Sequence, residues 1–285
     1  MTGPRRVLVA GGTNFDIIVH AGRLPEEHEK LRGGEYSAQP GGSAANTALG
    51  LARQGCEVRL VSAVGDDLLG RVCLDDLQAG GVDTGLIRVE PAARTGMAIV
   101  LAANGGKRMM TFPGVDRDAA IAAVTEEDLQ GVDHVHIVGE PRPAPARLVS
   151  LARAAGRSVS VEWNGRDMGA AFGAGALNLM NADEAARLPD ALPGDPEGTA
   201  RRYAAALAGD VILTLGPAGA LWASPDGTVV TEPTVPVDPV DRTGGGDAFD
   251  AGFLAAWLSG EAPASCLRRG LDAALHVITK IGAQP

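Results

Sequence analysis

Aromatic side chains and basic charge are both scarce in this sequence. Aromatic residues make up 4% of the chain, and 35 acidic residues against 25 Lys and Arg give a formal net charge of −10. A surface this acidic is a poor match for nucleic acid or an anionic membrane, so we expect neither as a partner. With 45% hydrophobic residues the chain can still bury a core, which we expect to consist of small and aliphatic side chains.

Cysteines and long apolar runs are few as well. The three cysteines, Cys56, Cys73 and Cys266, are widely spaced and form no Cys-X-X-Cys pair. This pattern predicts free thiols in a reducing cytoplasm and argues against a disulfide framework or a cysteine zinc site. The apolar run after the N-terminal arginines, Val7 to Ala10, is too short for a signal peptide, and no run reaches transmembrane length. We therefore expect a cytoplasmic protein.

Strand-like and helix-like patterns alternate along the chain. Apolar runs typical of buried strands are RVLVAG, VRLVSAVG, HVHIVG, SVSVEW and VILTLG. The segments between them have amphipathic spacing, and several end at a glycine, which is a helix stop signal. This alternation predicts a doubly wound α/β fold, in which helices cover both faces of a parallel sheet. Within it, His134 and His136 alternate on one strand, which favours a packing role over a catalytic one.

Two segments, roughly residues 14–39 and 90–112, interrupt this alternation. The second contains two strand-like runs on either side of Asn-Gly-Gly, which is a turn signal. We predict that the two segments form one small antiparallel sheet, a discontinuous part of a single domain over residues 1–285. An uncovered face or edge of such a sheet would offer a surface for a homodimer.

Polar residues and glycines follow the predicted strands, at the edge where open α/β sheets bind ligands. Asp16 follows the first strand, and Gly41 and Gly42 precede a helix that contains Asn46. Structural alternatives exist, with Asp16 as an exposed loop carboxylate and Ser43 as an ordinary helix N-cap. The cap does not account for the paired glycines.

Two further strand ends are ambiguous by themselves. Asn181 and Glu184 share one helix face, where they could face a ligand or simply form a capping box. Thr214, Gly216 and Gly219 belong to the segment TLGPAG, which in isolation predicts only a hairpin.

The segment DRTGGGDAF is more specific. Gly244, Gly245 and Gly246 place backbone amides without side chains at a helix N-terminus, where the macrodipole is positive and an anion can bind. A helix cap needs no glycine triplet. Asp247 follows, and a carboxylate beside a bound phosphoryl group can accept the proton of an attacking hydroxyl. The segment therefore predicts phosphoryl transfer, with the amides stabilising the transferred group and Asp247 activating the nucleophile.

PGGSAANTALGLARQG and DRTGGGDAFDAGF resemble the two signature segments of the ribokinase-like carbohydrate kinase family (PfkB family). NADE, TLGPAGAL and VITKIGAQ fall where that family has its nucleotide-side segments, so the resemblance covers nearly the whole chain in the family's order. It implies a Rossmann-like core with a small β-sheet lid. It also implies direct transfer of the γ-phosphoryl group of Mg-ATP to a hydroxyl of a small sugar or sugar derivative.

The resemblance assigns roles to individual residues. Asp247 matches the base, and Gly244, Gly245 and Gly246 match the anion hole. Residues that match acceptor-binding positions are Asp16, Gly42, Asn46, Glu140 and Arg166. Residues that match nucleotide-side positions are Asn181, Glu184, Thr214, Gly216, Gly219 and Thr243, with Glu184 holding Mg²⁺ through water. Asp241 matches the position of a monovalent cation, but the residues that complete that site would lie beyond Pro285, which argues against activation by potassium.

Some positions depart from the family's pattern. Arg242 replaces a small hydroxyl residue, and it either adds positive charge near the phosphates or points to solvent. Gly245 stands where alanine is common. Leu271 or Asp272 stands where many members have an asparagine near the adenine, which leaves the base preference open.

The sequence leaves alternatives open both for the identity of the phosphoryl acceptor and for the kind of activity. VEWNGRDM resembles the Asp-X-Asn-X-Arg segment of fructokinase-like and ketodeoxygluconate-kinase-like members and aligns Glu162, Asn164 and Arg166, although Arg166 is equally well a surface arginine. Because the lid has few aromatic residues for stacking, a sugar is favoured over a nucleoside, and a nucleoside kinase stays the first alternative. A catalytically silent sensor of a sugar or nucleotide is the second alternative. A dinucleotide-dependent oxidoreductase lacks its Gly-X-Gly-X-X-Gly fingerprint after the first strand.

Overall fold

The computed structural model describes residues 3–32, 34–103, 106–163 and 169–279. The strands are β1 (Arg6–Ala10), β2 (Asn14–Ala21), β3 (Glu35–Gly41), β4 (Glu57–Gly65), β5 (Val82–Asp83), β6 (Ile87–Glu90), β7 (Gly96–Ala103), β8 (Gly106–Phe112), β9 (His134–Val138), β10 (Ser158–Glu162), β11 (Leu177–Asn181), β12 (Asp210–Thr214), β13 (Ala220–Ala223) and β14 (Val229–Glu232). The helices are α1 (Ser43–Arg53), α2 (Leu68–Ala79), α3 (Asp118–Ala123), α4 (Pro143–Ala154), α5 (Gly169–Gly173), α6 (Ala182–Ala185), α7 (Pro196–Leu207), α8 (Gly245–Leu258) and α9 (Pro263–Ile278).

A ten-stranded sheet runs through the middle of the molecule. Its order is β14-β13-β12-β11-β10-β9-β1-β4-β5, and β6 also pairs with β4. From β12 to β6 all neighbouring strands are parallel, whereas β13 and β14 are antiparallel additions at one edge. The five strands predicted from apolar runs are confirmed as β1, β4, β9, β10 and β12.

Helices cover both faces of this sheet, as the alternation of patterns predicts. Along β1, Leu8 belongs to the hydrophobic cluster on one face, and Val7 and Val9 belong to the cluster on the other. Successive side chains of a strand point to opposite faces, so a strand buried on both sides must be apolar throughout. Cys56, Cys73 and Cys266 are free thiols, as predicted.

A second sheet of four strands has the order β3-β2-β7-β8. Its strands occupy residues 14–41 and 96–112, and Glu90, expected in this sheet, ends β6 of the large sheet instead. The sheet is mixed where an antiparallel one was predicted. β7 and β8 form the expected antiparallel hairpin, but β2 pairs with β7 in parallel, because the two insertions leave the core in the same direction.

The second sheet overhangs the point where the strand order of the large sheet reverses. β1 lies between β4 and β9, so the chain winds outward from it in both directions. The chain leaves the core for the small sheet just after β1, forms β2 and β3, and returns to the core at Gly41, directly before α1. In open α/β sheets, ligands bind in the crevice beyond the carboxyl ends of the strands at such a reversal. Across the described ranges, no helix is both long and apolar enough to span a membrane.

Candidate active site

Asp247 lies in the first turn of α8 and is nearly inaccessible, with 8% of its surface exposed. Nδ2 of Asn46, in the first turn of α1, donates a hydrogen bond to its Oδ2 at 2.7 Å. The fold thus joins two residues that are 201 positions apart in the sequence. The two glycine-rich helix starts that stand out in the sequence meet at one point.

The surroundings of Asp247 make its carboxylate a stronger base than an exposed one. Burial raises its pKa to about 6, and the negative charge of Asp16 acts in the same direction. Hydrogen bonds from Asn46 and Ser43 favour the charged form and partly oppose the rise. A carboxylate with a pKa near neutrality suits proton abstraction from a hydroxyl.

The three glycines before Asp247 have separate structural reasons. Gly244 is the N-cap of α8 and takes a left-handed conformation, with φ of 78°. A Cβ at Gly245 would lie 2.8 Å from Cγ2 of Ile278, which explains why this chain has no alanine there. A Cβ at Gly246 would meet no atom within 4 Å, so the space above the first turn of α8 is open.

The paired glycines before α1 are needed for close approach. A Cβ at Gly41 would lie 2.1 Å from Oδ2 of Asp16, and one at Gly42 would lie 2.6 Å from the carbonyl oxygen of Gly12. Gly42 also has a φ of 100°. It is the N-cap of α1 and no side chain caps this helix, so the alternative in which Ser43 is the cap is wrong.

A cavity of about 390 Å³ opens between the small sheet and the strand reversal. The residues that line it include Gly12, Thr13, Asn14, Gly96, Phe112, Arg117, Glu140 and Arg142. Asp16, Gly42 and Asn46 do not line it directly. Gly42 adjoins it, because a Cβ at this residue would lie 3.0 Å from the amide nitrogen of Asn14, which lines the cavity.

A second cavity, of about 300 Å³, lies between the N-terminal part of α8 and α9. Its lining includes three residues predicted on the nucleotide side, Thr214, Gly216 and Gly219, together with Arg242, Gly245, Gly246, Phe249 and Leu271. Arg242 therefore faces this cavity, which favours the first of its two interpretations. Leu271 lines this cavity, whereas Asp272 lines a different cavity, beside Arg53 of α1.

Asn181 and Glu184 form the capping box that was one of their two interpretations. The Asn181 side chain accepts a hydrogen bond from the Glu184 amide at 2.8 Å, and Oε2 of Glu184 accepts one from the Asn181 amide at 2.9 Å. A ligand role is compatible with this arrangement, because Glu184 is only half-buried. Its negative charge helps to raise the pKa values of the half-buried Glu162 and the buried Asp250, so it lies close to them.

Of the remaining predicted residues, some have defined contacts and others lie outside the described part of the chain. Oδ1 of the buried Asp241 accepts a hydrogen bond from the Thr243 amide at 2.9 Å, just before the glycine triplet. Oε2 of Glu140 accepts one from Nη2 of Arg142 at 3.3 Å. Arg166, Asn164 and the chain after Thr279 lie outside the described residues.

Sequence reasoning missed two features of this region. Arg117, the N-cap residue of α3, lines the cavity beneath the small sheet, and no motif in the sequence marks it. His136, Glu162 and Asp250 come together below Asp247. Each of the three lies on a different element, so no spacing in the sequence connects them.

Solved structures of the same fold share this architecture. The structure of a putative ribokinase from Agrobacterium tumefaciens superposes with a TM-score of 0.84 at 26% identity, covering 98% of this chain and 93% of that one. Arabidopsis thaliana ribokinase, solved with ribose and ATP, gives a TM-score of 0.83 at 23% identity over 99% and 95% of the two chains. The fold is therefore that of the ribokinase-like α/β kinases.

The sequence comparisons are more specific. The family model for the pfkB family carbohydrate kinases matches residues 4–285. An ATP-dependent ribose-1-phosphate kinase from Halopiger xanaduensis is 33% identical over 89% of this chain and 85% of its own length. Bacillus subtilis ribokinase is 29% identical over 98% and 95%. The chain belongs to the pfkB family of carbohydrate kinases, which transfer a phosphoryl group to an alcohol.

Proposed function

We propose that this protein transfers the γ-phosphoryl group of ATP to a hydroxyl of a small sugar, with Asp247 as the base. The observation that carries this proposal is the position of Asp247. Gly246, directly before it, lines the cavity next to α9. Asn46, its hydrogen-bond partner, lies in the first turn of α1, whose N-cap Gly42 adjoins the cavity beneath the small sheet. A nucleotide in the cavity next to α9 and a sugar in the cavity beneath the small sheet would meet at the N-terminus of α8.

Each part of this site then has a chemical task. The open space above Gly246 admits a phosphoryl group, and amides at the helix N-terminus stabilise its charge. Asp247 accepts the hydroxyl proton as the new O–P bond forms. Arg242 would pair with the nucleotide phosphates, and Thr214, Gly216, Gly219 and Thr243 would surround the nucleotide. On the acceptor side, Asp16, Asn46, Gly42 and Glu140 would bind sugar hydroxyls.

Mg²⁺ fits the carboxylates present. One oxygen of Glu184 accepts a hydrogen bond from the Asn181 amide, and its other oxygen remains for a water molecule of a hydrated cation. Hard oxygen donors of this kind are what Mg²⁺ prefers. Bound there, Mg²⁺ would neutralise part of the phosphate charge. A potassium site at Asp241 is not part of this proposal.

The test is a coupled assay of ADP release with Mg-ATP and a panel of acceptors. The panel contains ribose, ribose 1-phosphate, fructose, fructose phosphates, tagatose, ketodeoxygluconate, adenosine, cytidine and inosine. We expect turnover on one sugar class, and we expect Asp247→Asn to lower kcat by a factor of about 10² to 10⁴. Asp238→Asn, which changes an exposed aspartate before the same loop, is the matched control.

The alternatives give different outcomes in this assay. Turnover on nucleosides alone would replace the sugar with a nucleoside acceptor. ATP binding without turnover on any acceptor, unchanged in Asp247→Asn, would indicate a sensor on the same fold. Turnover that survives in Asp247→Asn would mean that Asp247 is not the base.

A phosphorylated pentose is a second candidate acceptor, and Arg117 is the observation that favours it. A Cβ at Gly12 would lie 3.6 Å from Nη1 of Arg117, and one at Gly139 would lie 3.3 Å from its Nη2. The guanidinium thus lies over the ends of β1 and β9, inside the acceptor cavity. Arg142 lines the same cavity, where Glu140 and Asp118 already engage it.

A guanidinium in this position matches a phosphate, because its planar donors bind two phosphate oxygens at once. The relative from Halopiger xanaduensis carries the name ribose-1-phosphate kinase, which agrees with such an acceptor. We expect Arg117→Met to lower kcat/KM for ribose 1-phosphate by about 100-fold while changing that for ribose little, since a charged hydrogen-bond pair contributes about 2–3 kcal/mol. Equal losses on both acceptors would contradict the assignment.

A further inference from the structure

A buried His–Glu–Asp cluster lies below the candidate base. Asp250 follows Asp247 by one turn of α8 and is 5% exposed, and His136 of β9 is fully buried. Glu162 is the last residue of β10. One ring nitrogen of His136 and one carboxylate oxygen each of Glu162 and Asp250 lie within 4.8 Å of one another. The cluster therefore brings one nitrogen and two oxygen ligand atoms together in the interior.

A chain of hydrogen bonds determines which nitrogen of His136 faces the carboxylates. The Ser158 hydroxyl donates to the Asp133 carbonyl, so its oxygen must accept from Nδ1–H of His134 at 2.8 Å. Nε2 of His134 then accepts from the Ser160 hydroxyl at 2.7 Å. The Ser160 oxygen in turn accepts from Nδ1–H of His136 at 2.7 Å. His136 is therefore left with a lone pair on Nε2.

This chain requires His134 to be neutral, because its Nε2 accepts a hydrogen bond from Ser160. Full burial favours the neutral form of His136 as well. In a neutral imidazole with one nitrogen donating, the other nitrogen can only accept a hydrogen bond or bind a cation.

Two of the three groups in the cluster present a buried polar atom that no other described residue engages. Nε2 of His136 and Oε2 of Glu162 are both buried, and neither has a hydrogen-bond partner among the described residues. Three acceptors facing one another without a cation or protons between them would be strongly unfavourable.

We propose that His136, Glu162 and Asp250 bind a divalent transition-metal ion of the Zn²⁺ and Mn²⁺ class. Ligand distances of about 2.0–2.2 Å to such an ion place ligand atoms about 3–4 Å apart, so small side-chain shifts would close the site. The imidazole favours a transition metal over Mg²⁺, which prefers an all-oxygen shell. Its ligands differ from Glu184, at which the hydrated Mg²⁺ is expected.

An ion in this position would act on the fold and on the base. It would connect α8 to β9 and β10 through one ligand from each element. It would also place positive charge one helical turn from Asp247 and so favour the ionised form of that carboxylate.

The experiment measures metal binding in the absence of nucleotide and acceptor. The full-length protein is stripped with a chelator, dialysed, and titrated with Mn²⁺ or Zn²⁺ by calorimetry. We expect one tightly bound equivalent, and we expect His136→Phe and Asp250→Asn to weaken binding by at least about 10-fold. Glu127→Gln, at an exposed carboxylate outside the cluster, is the control and should bind the ion as the unchanged protein does.

A spectroscopic measurement on the unchanged protein guards against variants that do not fold. In electron spin-echo spectra, Mn²⁺ at this site should show coupling to a directly bound imidazole nitrogen. Absence of a bound ion in the stripped and titrated protein would overturn the proposal. The cluster would then be stabilised by hydrogen bonds from protonated carboxyl groups. Binding that persists in both ligand variants would overturn it too. Because no phosphoryl transfer is measured, these outcomes are independent of whether the proposed kinase activity is found.

Discussion

Asp247 is the residue on which the proposed chemistry depends, and its pKa leads to a prediction about pH. The base must be ionised to accept a proton, and burial raises its pKa to about 6. We therefore expect kcat/KM to be constant above about pH 7 and to fall about tenfold per pH unit well below pH 6. A profile of kcat/KM between pH 5 and 8 measures this.

The control for the pH profile is Asn46→Ala. This change removes the 2.7 Å hydrogen bond that favours the ionised form of Asp247, so the inflection should move to higher pH. A profile that shows no inflection between pH 5 and 7 would contradict the assignment of Asp247 as the ionising base.

Gly41 offers a second prediction at the residue scale. A methyl group at this position would lie 2.1 Å from Oδ2 of Asp16, which is the end of a flexible side chain, so the carboxylate would swing aside at little cost in folding. We expect Gly41→Ala to raise KM for the acceptor by about 10- to 100-fold with a smaller change in kcat, because the displaced carboxylate is the group proposed to bind the sugar. Steady-state kinetics measures both constants.

The matched control for Gly41→Ala is Gly22→Ala, where a methyl group would meet no atom within 4 Å. This variant should behave as the unchanged protein. If Gly41→Ala also left KM unchanged, Asp16 would not be an acceptor ligand.

Among the elements, α2 depends on one carboxylate at its N-terminus. Asp67 accepts hydrogen bonds from the amides of Gly70 and Thr95 at 2.8 and 2.9 Å and from the Thr95 hydroxyl at 2.7 Å. Burial acts to raise the pKa of Asp67, but these bonds outweigh it and lower the pKa. One side chain thus caps a helix and fixes the segment that enters the small sheet.

We expect Asp67→Ala to lower the free energy of unfolding by about 1–3 kcal/mol, because it removes an N-cap and leaves the buried Thr95 amide unpaired. Asp66→Ala is the control. Asp66 forms only an exposed 3.4 Å contact with Arg71 and should change stability by less than about 1 kcal/mol. Urea denaturation of both variants decides between a capping role and a general effect of removing charge.

At the same scale, hydrogen bonding inside the core was not visible in the sequence. Nε1 of the fully buried Trp163 donates to Oδ1 of Asn178 at 2.9 Å, and Nδ2 of Asn178 donates to three carbonyl groups. The sequence shows only an asparagine inside an apolar strand. That its side chain connects several buried polar groups becomes evident only from the structure.

For the whole molecule, the small sheet leads to a prediction about assembly. Its edge strand β8 exposes Met109, Met110 and Phe112, and Tyr36 of the opposite edge strand is 74% exposed. Exposed apolar side chains on edge strands favour pairing with another copy. We expect a homodimer through this sheet, and sedimentation velocity should show twice the mass of the chain.

A charged substitution on the edge strand tests this assembly. Met110→Glu should give a monomer, whereas Leu68→Glu, at an exposed apolar residue of α2, should not. A monomeric unchanged protein would remove the prediction.

The sequence by itself determined the architecture and the chemical class. Apolar runs separated by amphipathic segments require a parallel sheet covered on both faces, because only that arrangement buries every residue of a strand such as β1. A glycine triplet followed by Asp247 indicates phosphoryl chemistry, because the requirement for an open helix N-terminus is local. Those features depend on neighbours in the chain.

Only the tertiary structure decided which distant residues meet. It joined Asn46 to Asp247, placed Arg117 over the strand ends, and gathered His136, Glu162 and Asp250 below the base. It also made the small sheet mixed, because the pairing of β2 with β7 depends on how two insertions leave the core. Contacts between elements that are far apart in sequence arise from packing, which no local pattern encodes.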